Sequence, residues 1–362
     1  MIQALLVFLT GLTLPGITSQ GDRFLYHDAR SAAMGGVSIV LESTANPASL
    51  ALFNDKAVFF SGRLAVQSER RGLRVYDSFG NNIGIATLAN NTATYAGPGP
   101  CAFIFPLRFI SFGLQYAPVW DHNYYYREEH RDDFYQLTSI DELSYSGYLN
   151  ALAPMVSFRY RSISVGLEQD FLFGALQMTR TVIMPDADSV YREETELAGR
   201  KTRFGASITP SINFRLAYTY QHSYALDNGG DEYPSTHAFG VMYQPPGRIP
   251  TRFAGQIEYE IWDELWERNI LIYKLGVEHM IQSKYYMRYG FCIFPDYTQA
   301  ALWTTNLTAG FGLNAGRYSV DLGYAYGKRD YLAGDFPYLD FTSDYVFDET
   351  GHHLLITAGV HF

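Results

Sequence analysis

The chain has 362 residues, of which 47% are hydrophobic, 16% aromatic and only 18% charged, with 32 Gly and a formal net charge of −10. So many Tyr and Phe beside so few charges exclude an intrinsically disordered chain and argue against a helical bundle, which draws on Leu, Ala, Glu and Lys. The acidic balance disfavours nucleic-acid binding, and Cys101 and Cys292 offer neither zinc-ligand spacing nor a disulfide framework.

The first element in chain order is a targeting segment over 1–19. Leu5-Leu6-Val7-Phe8-Leu9 opens an apolar run to Leu14, Pro15-Gly16 breaks it, and Ile17-Thr18-Ser19 supplies small residues for cleavage. No Lys or Arg precedes the run, so the α-amino group is its only positive charge. Beyond it, no stretch is long and apolar enough for a helical membrane span. Residues 20–55 follow as a compact segment. Gly35-Gly36 permits positive φ or close backbone approach, and Asn46-Pro47 favours a turn with Pro47 opening a short helix.

From residue 56 onward the chain reads with period two. Strands are predicted over 57–68, 99–106, 108–118, 149–160, 162–173, 200–210, 211–222, 236–244, 250–260, 269–281, 283–293, 303–314, 316–327 and 352–362. In the last of them Leu354, Ile356, Ala358, Val360 and Phe362 share one face, and His353, Leu355, Thr357, Gly359 and His361 the other. Tyr and Phe gather towards the ends of the apolar faces, as in interfacial aromatic girdles. The polar faces carry Arg63, Glu168, Asp170, Arg203, Arg215, Glu258, Lys274, Glu278, Arg288 and Asp321. Inside a membrane barrel such charges pair or stay hydrated, whereas on a lipid face each would cost about 2–4 kcal/mol at the midplane. Short links follow the even-numbered strands and longer ones the odd-numbered, the layout of an outer-membrane barrel with both termini on the short-turn, periplasmic side. The region 69–98 holds either an extra strand near Leu73–Asp77 or a hairpin. Four longer links, 119–148, 174–199, 223–235 and 328–351, together carry a net charge of −15, so the rest of the chain is slightly basic. The fold expected is therefore all-β: a transmembrane antiparallel β-barrel of about 14 strands, with residues 20–55 as an N-terminal plug and 56–362 as the barrel.

Two patches add a family resemblance. Ala29-Arg30-Ser31-Ala32-Ala33-Met34-Gly35-Gly36-Val37 and Asn46-Pro47-Ala48-Ser49-Leu50 resemble the N-terminal signature of the FadL-type outer-membrane barrel superfamily, which includes long-chain fatty-acid transporters and PorV/PorQ proteins. The chain departs from the transporter pattern in its short spacing from Gly36 to Asn46 and in Leu41-Glu42-Ser43-Thr44, which replaces an Asp-rich stretch. The resemblance implies fourteen strands with an N-terminal plug in the lumen, and makes Arg30, Met34, Gly35, Gly36, Asn46, Pro47 and Ala48 the plug or gate residues. Phe362 resembles the C-terminal signal read by the barrel-assembly machinery.

Apolar residues on the predicted lumen face, Phe59, Met155, Met242, Ile272, Tyr286 and Leu355, are candidates for a hydrophobic-ligand tunnel or for contact with the plug. The Asp121-His122 and Glu128–Asp133 cluster has donors for a divalent cation but reads as a solvated loop, so no metal is expected. No Gly-x-Ser-x-Gly elbow is present, and neither catalysis nor a cofactor is expected. The functions expected are passive passage of hydrophobic or amphipathic small molecules through the outer membrane or, alternatively, a type IX secretion accessory binding protein partners of that secretion system.

Overall fold

The computed structural model describes residues 21–132, 134–185, 187–227, 232–262, 268–296, 302–332 and 345–362. The expected targeting segment and Asp133 of the acidic cluster lie outside the described residues. The elements in order are β1 (Asp22–Arg23), α1 (Ala29–Ala33), a 3-10 helix (Pro47–Leu52), β2 (Ala57–Tyr76), β3 (Asn82–Pro106), β4 (Ile110–Asp121), β5 (Tyr124–Arg131), β6 (Leu137–Tyr160), β7 (Ile163–Ile183), β8 (Asp188–Ser211), β9 (Phe214–Gln221), β10 (Ser235–Tyr243), β11 (Thr251–Trp262), β12 (Arg268–Ile281), β13 (Tyr285–Pro295), β14 (Trp303–Ala315), β15 (Tyr318–Leu332) and β16 (Tyr345–His361).

Leaving aside β1 and β5, fourteen antiparallel strands close into a barrel. β4 pairs with β3 and β6, and β16 returns to β2 with Leu354 opposite Leu64. Closure removes the sheet edges, and period two does the rest. Leu354 and Ile356 are exposed on the outside while Leu355 and Thr357 are buried inside. The outer wall continues this pattern through Phe112, Phe239, Ile257, Leu275 and Leu307, all exposed. Among the described residues no helix is long and apolar enough to cross a membrane.

All fourteen predicted strands are present, but several run on well past their expected ends. The links expected over 69–98 and 174–199 are mostly hairpin, with a turn at residues 77–81 in the first and strands reaching Ile183 and resuming at Asp188 in the second. Leu73–Tyr76 continues β2 and is no separate strand. The contrast between an apolar outside and a polar inside ends with the membrane, whereas the backbone ladder continues, so periodicity reports only part of each strand. The short turns are tight: Arg161, Gln282 and Ser283 take positive φ, as close hairpin turns of this twist require.

The lumen is filled in layers. Nearest the short turns lie Arg215, Arg252, Glu278, Arg288 and Asp321. Residues 29–52 wind along the wall against them, and a second charged layer of Glu168, Asp170, Lys201, Arg203, Glu258 and Lys274 lies further from the short turns. An aromatic block on the loop side is built by Trp120, Tyr224, Tyr233 and Trp262 with Ile272 and Cys292. Tyr224 and Tyr233 stack at 4.8 Å, and Trp120 donates to Tyr224 Oη at 3.1 Å. Part of 223–235, expected as one of the acidic longer links, is thus folded inward, because its aromatic rings find apolar partners there.

Candidate functional site

The N-terminal segment is built against glycine pairs in the wall. Asp28 caps α1, accepting from Ser31 N at 2.6 Å while its own N–H donates to Ser31 Oγ at 2.8 Å. The helix lies on the cross-strand pair Gly310 and Gly323; a Cβ on Gly323 would stand 2.2 Å from Ala29 O. Met34 and Gly35 lie on a second pair, Gly276 and Gly290, with Met34 O only 2.5 Å from the Cβ position of Gly276. Gly35 and Gly36 have φ of +67° and +83°, which an L side chain would strain, and they turn the chain along the wall.

Asn46-Pro47-Ala48 sits on a third pair, Gly166 and Gly205. Asn46 caps the 3-10 helix by accepting from Ala48 N at 2.9 Å, and its amide donates to Ile39 O and Ala206 O. The three parts of the signature therefore meet three Gly–Gly pairs, each of which lets two backbones approach more closely than any side chain would allow.

Polar contacts fix the segment from both sides. Arg30 donates to both oxygens of Glu278, and Arg252 and Arg288 donate to the same carboxylate at 3.0 and 2.7 Å. Glu42 accepts from Arg30 and Arg215. Arg203 donates to Ala45 O at 2.9 Å. His27 bonds Thr44 Oγ1 at 2.8 Å, and burial pushes it down to about 4 against the pull of Asp28.

The predicted lumenal residues occupy several environments. Met242 packs under Val37 and Ile39, Met155 under Leu50, and Phe59 meets Phe53 at 5.8 Å. Ile272 belongs to the aromatic block, Tyr286 lies beside Arg288, and Leu355 packs on Tyr26 and Ala29. Of these six, Leu355 alone also borders a cavity described below. Phe362 donates its N–H to Lys56 O and exposes its ring. Among the described residues no three His, Cys, Asp or Glu side chains gather as a metal site.

Two cavities of about 210 Å³ each lie on the loop side of the segment, separated by residues 23–26. One opens between β2, β15, β16 and the start of β5, the other between β4, β7, β8 and β11. Both border a seam in the wall. β3 pairs with β4 only from Cys101–Tyr116 to Pro106–Ser111. Beyond that point Pro98 and Pro100 carry no N–H, β3 bulges against β2, and β4 is itself interrupted at Pro118. The edge that β3 leaves is taken by β1, with Asp22 opposite Asp121 and Arg23 opposite Trp120. Sequence reasoning missed this seam, although three prolines within neighbouring strands signalled an unpaired edge.

No family model matches the chain. No curated protein matches it either. Solved structures do. The Pseudomonas putida toluene transporter TodX aligns with a TM-score of 0.66 at 13% identity, over 93% of this chain and 98% of that one. A Pseudomonas aeruginosa FadL homologue gives 0.63 at 14% with the same coverages, and the Ralstonia pickettii toluene transporter TbuX 0.59 at 13%, again over 93% and 98%. These similarities lend no support to the secretion-accessory alternative. In fold, the chain is a FadL-type barrel: fourteen antiparallel strands closed around an N-terminal segment.

Proposed function

We propose that the protein is a passive outer-membrane channel for hydrophobic or amphipathic small molecules, with the N-terminal segment as its plug. Ligand enters between the long hairpins, rests in the cavities above the plug, and leaves sideways through the β3–β4 seam or past a displaced plug. No covalent step or cofactor is involved. The observation that carries this reading is the coincidence of both cavities with the seam. A water-filled pore needs an unobstructed polar lumen, whereas here the lumen is packed and the openings meet the wall. The apolar outer face and the toluene transporters of the same fold add support.

The test is uptake of toluene and of a long-chain fatty acid into proteoliposomes, comparing the intact protein with a version lacking residues 21–50. The intact protein is expected to pass at least one of them saturably, and the shortened one to pass solutes indiscriminately. A heat-induced shift in gel mobility verifies that each is a folded barrel. A protein that stays soluble without detergent and shows no such shift would refute the reading.

A further inference from the structure

We infer that the cavity between β2, β15 and β16 accepts a small amphipathic organic cation, its apolar body among aromatic rings and its positive end beside Asp22. The inference rests on the channel reading and names the substrate class for it. Four cations face this cavity, and each already has a carboxylate within 4 Å. Arg23 pairs with Glu260 at 2.8 Å, Arg63 with Asp121, Arg329 with Glu349 and Asp296, and Lys328 with Asp330 and Asp348. An anionic ligand would find no uncommitted cation on the wall.

Asp22 is the opposite case. Its side chain is exposed to the cavity, and no cation lies within ion-pair distance of it among the described residues. Burial among protein atoms, with Asp121 and Asp296 nearby, raises its carboxyl to about 6 despite the attraction of Arg329 and Arg23. A fixed positive charge of the ligand would relieve that. Phe24, Tyr26, Tyr95 and Phe294 supply the aromatic surface. Rings of this kind attract a desolvated cation by their negative faces, as the guanidinium of Arg63 already does 4.0 Å from the ring centre of Phe24.

Benzyltrimethylammonium and neopentylbenzene share a shape and differ by one permanent charge, so they separate charge from size. Equilibrium dialysis against the full-length protein in detergent is expected to show the cation bound about tenfold more tightly than its neutral isostere, with 3-phenylpropionate weakest. Asp22→Asn should bring cation and isostere level while leaving neopentylbenzene unchanged, and Asp22→Glu should keep the preference. Equal binding of cation and isostere to the unmodified protein overturns the inference, as does a preference that survives Asp22→Asn. If neither benzyltrimethylammonium nor neopentylbenzene binds in any form, the channel reading itself has failed and the inference goes with it.

Discussion

Arg30 and Glu278, 248 residues apart, meet through two hydrogen bonds of 3.0 and 2.9 Å. Glu278 is almost wholly buried and accepts from Arg252 and Arg288 as well, so one carboxylate ties α1 to β11, β12 and β13. Glu278→Gln would leave three guanidinium groups around a neutral amide. Removing one partner of a buried pair destabilises by about 3–5 kcal/mol. The variant should lose its heat-shifted gel mobility at a lower temperature, and proteases should cut within residues 21–52 sooner. Native resistance on both counts would show that this contact does not hold the segment.

The glycine pairs give a second handle. A Cβ on Gly276 would lie 2.5 Å from Met34 O, a backbone atom that cannot swing aside. Gly276→Ala should displace the segment and destabilise by about 1–3 kcal/mol, as overpacking does. Gly62→Ala, whose nearest neighbour would be Ile356 Cγ2 at 3.6 Å, is the control and should be close to neutral. Solute leak through proteoliposomes distinguishes the two.

Attachment of the segment should depend on acid pH through Glu42. Burial by itself would raise this carboxyl, but Arg30, Arg252 and Arg215 outweigh it and hold the group below its ordinary 4.5. A carboxyl held lower in the docked state stabilises docking above its free value, and that contribution disappears as pH falls through the docked value. Protection against hydrogen exchange over residues 29–52, taken relative to the intrinsic rate at each pH, should therefore be high at pH 7 and fall below about 4.5. Glu42→Gln should exchange faster at pH 7 and show a flatter profile. Superimposable profiles would remove Glu42 from the account.

The seam is addressed by its prolines. Pro98→Val with Pro100→Val restores two backbone donors on β3 and favours a longer ladder with β4. Uptake of toluene should slow while barrel stability holds or rises. An unchanged uptake rate, with folding confirmed, would place the route elsewhere.

Much of the fold was legible in the sequence. Leu354 to Phe362 and Tyr318 to Tyr326 alternate because each strand separates an apolar outside from a polar lumen, and that contrast is local to every second residue. The signature residues from Arg30 to Ala48 marked the segment, and the inward charges were visible as a set. Their partners were not. Whether Glu278 meets Arg30 or another cation depends on strands hundreds of residues apart, and the glycines that admit Asn46-Pro47 belong to β7 and β8. The upper parts of β7 and β8 escaped notice because the membrane contrast stops before their hydrogen bonds do.

The sequence by itself determined an acidic, aromatic, charge-poor barrel of fourteen strands, since pleat periodicity and turn spacing require no long-range information. Only the tertiary structure decided that residues 224–226 and 233 fold inward, that β3 parts from β4 above Cys101, and that Asp22 faces a cavity whose cations are already paired. Those facts depend on which backbones come close enough to exclude a side chain and on which charges find each other across the lumen, and both are settled when the barrel closes.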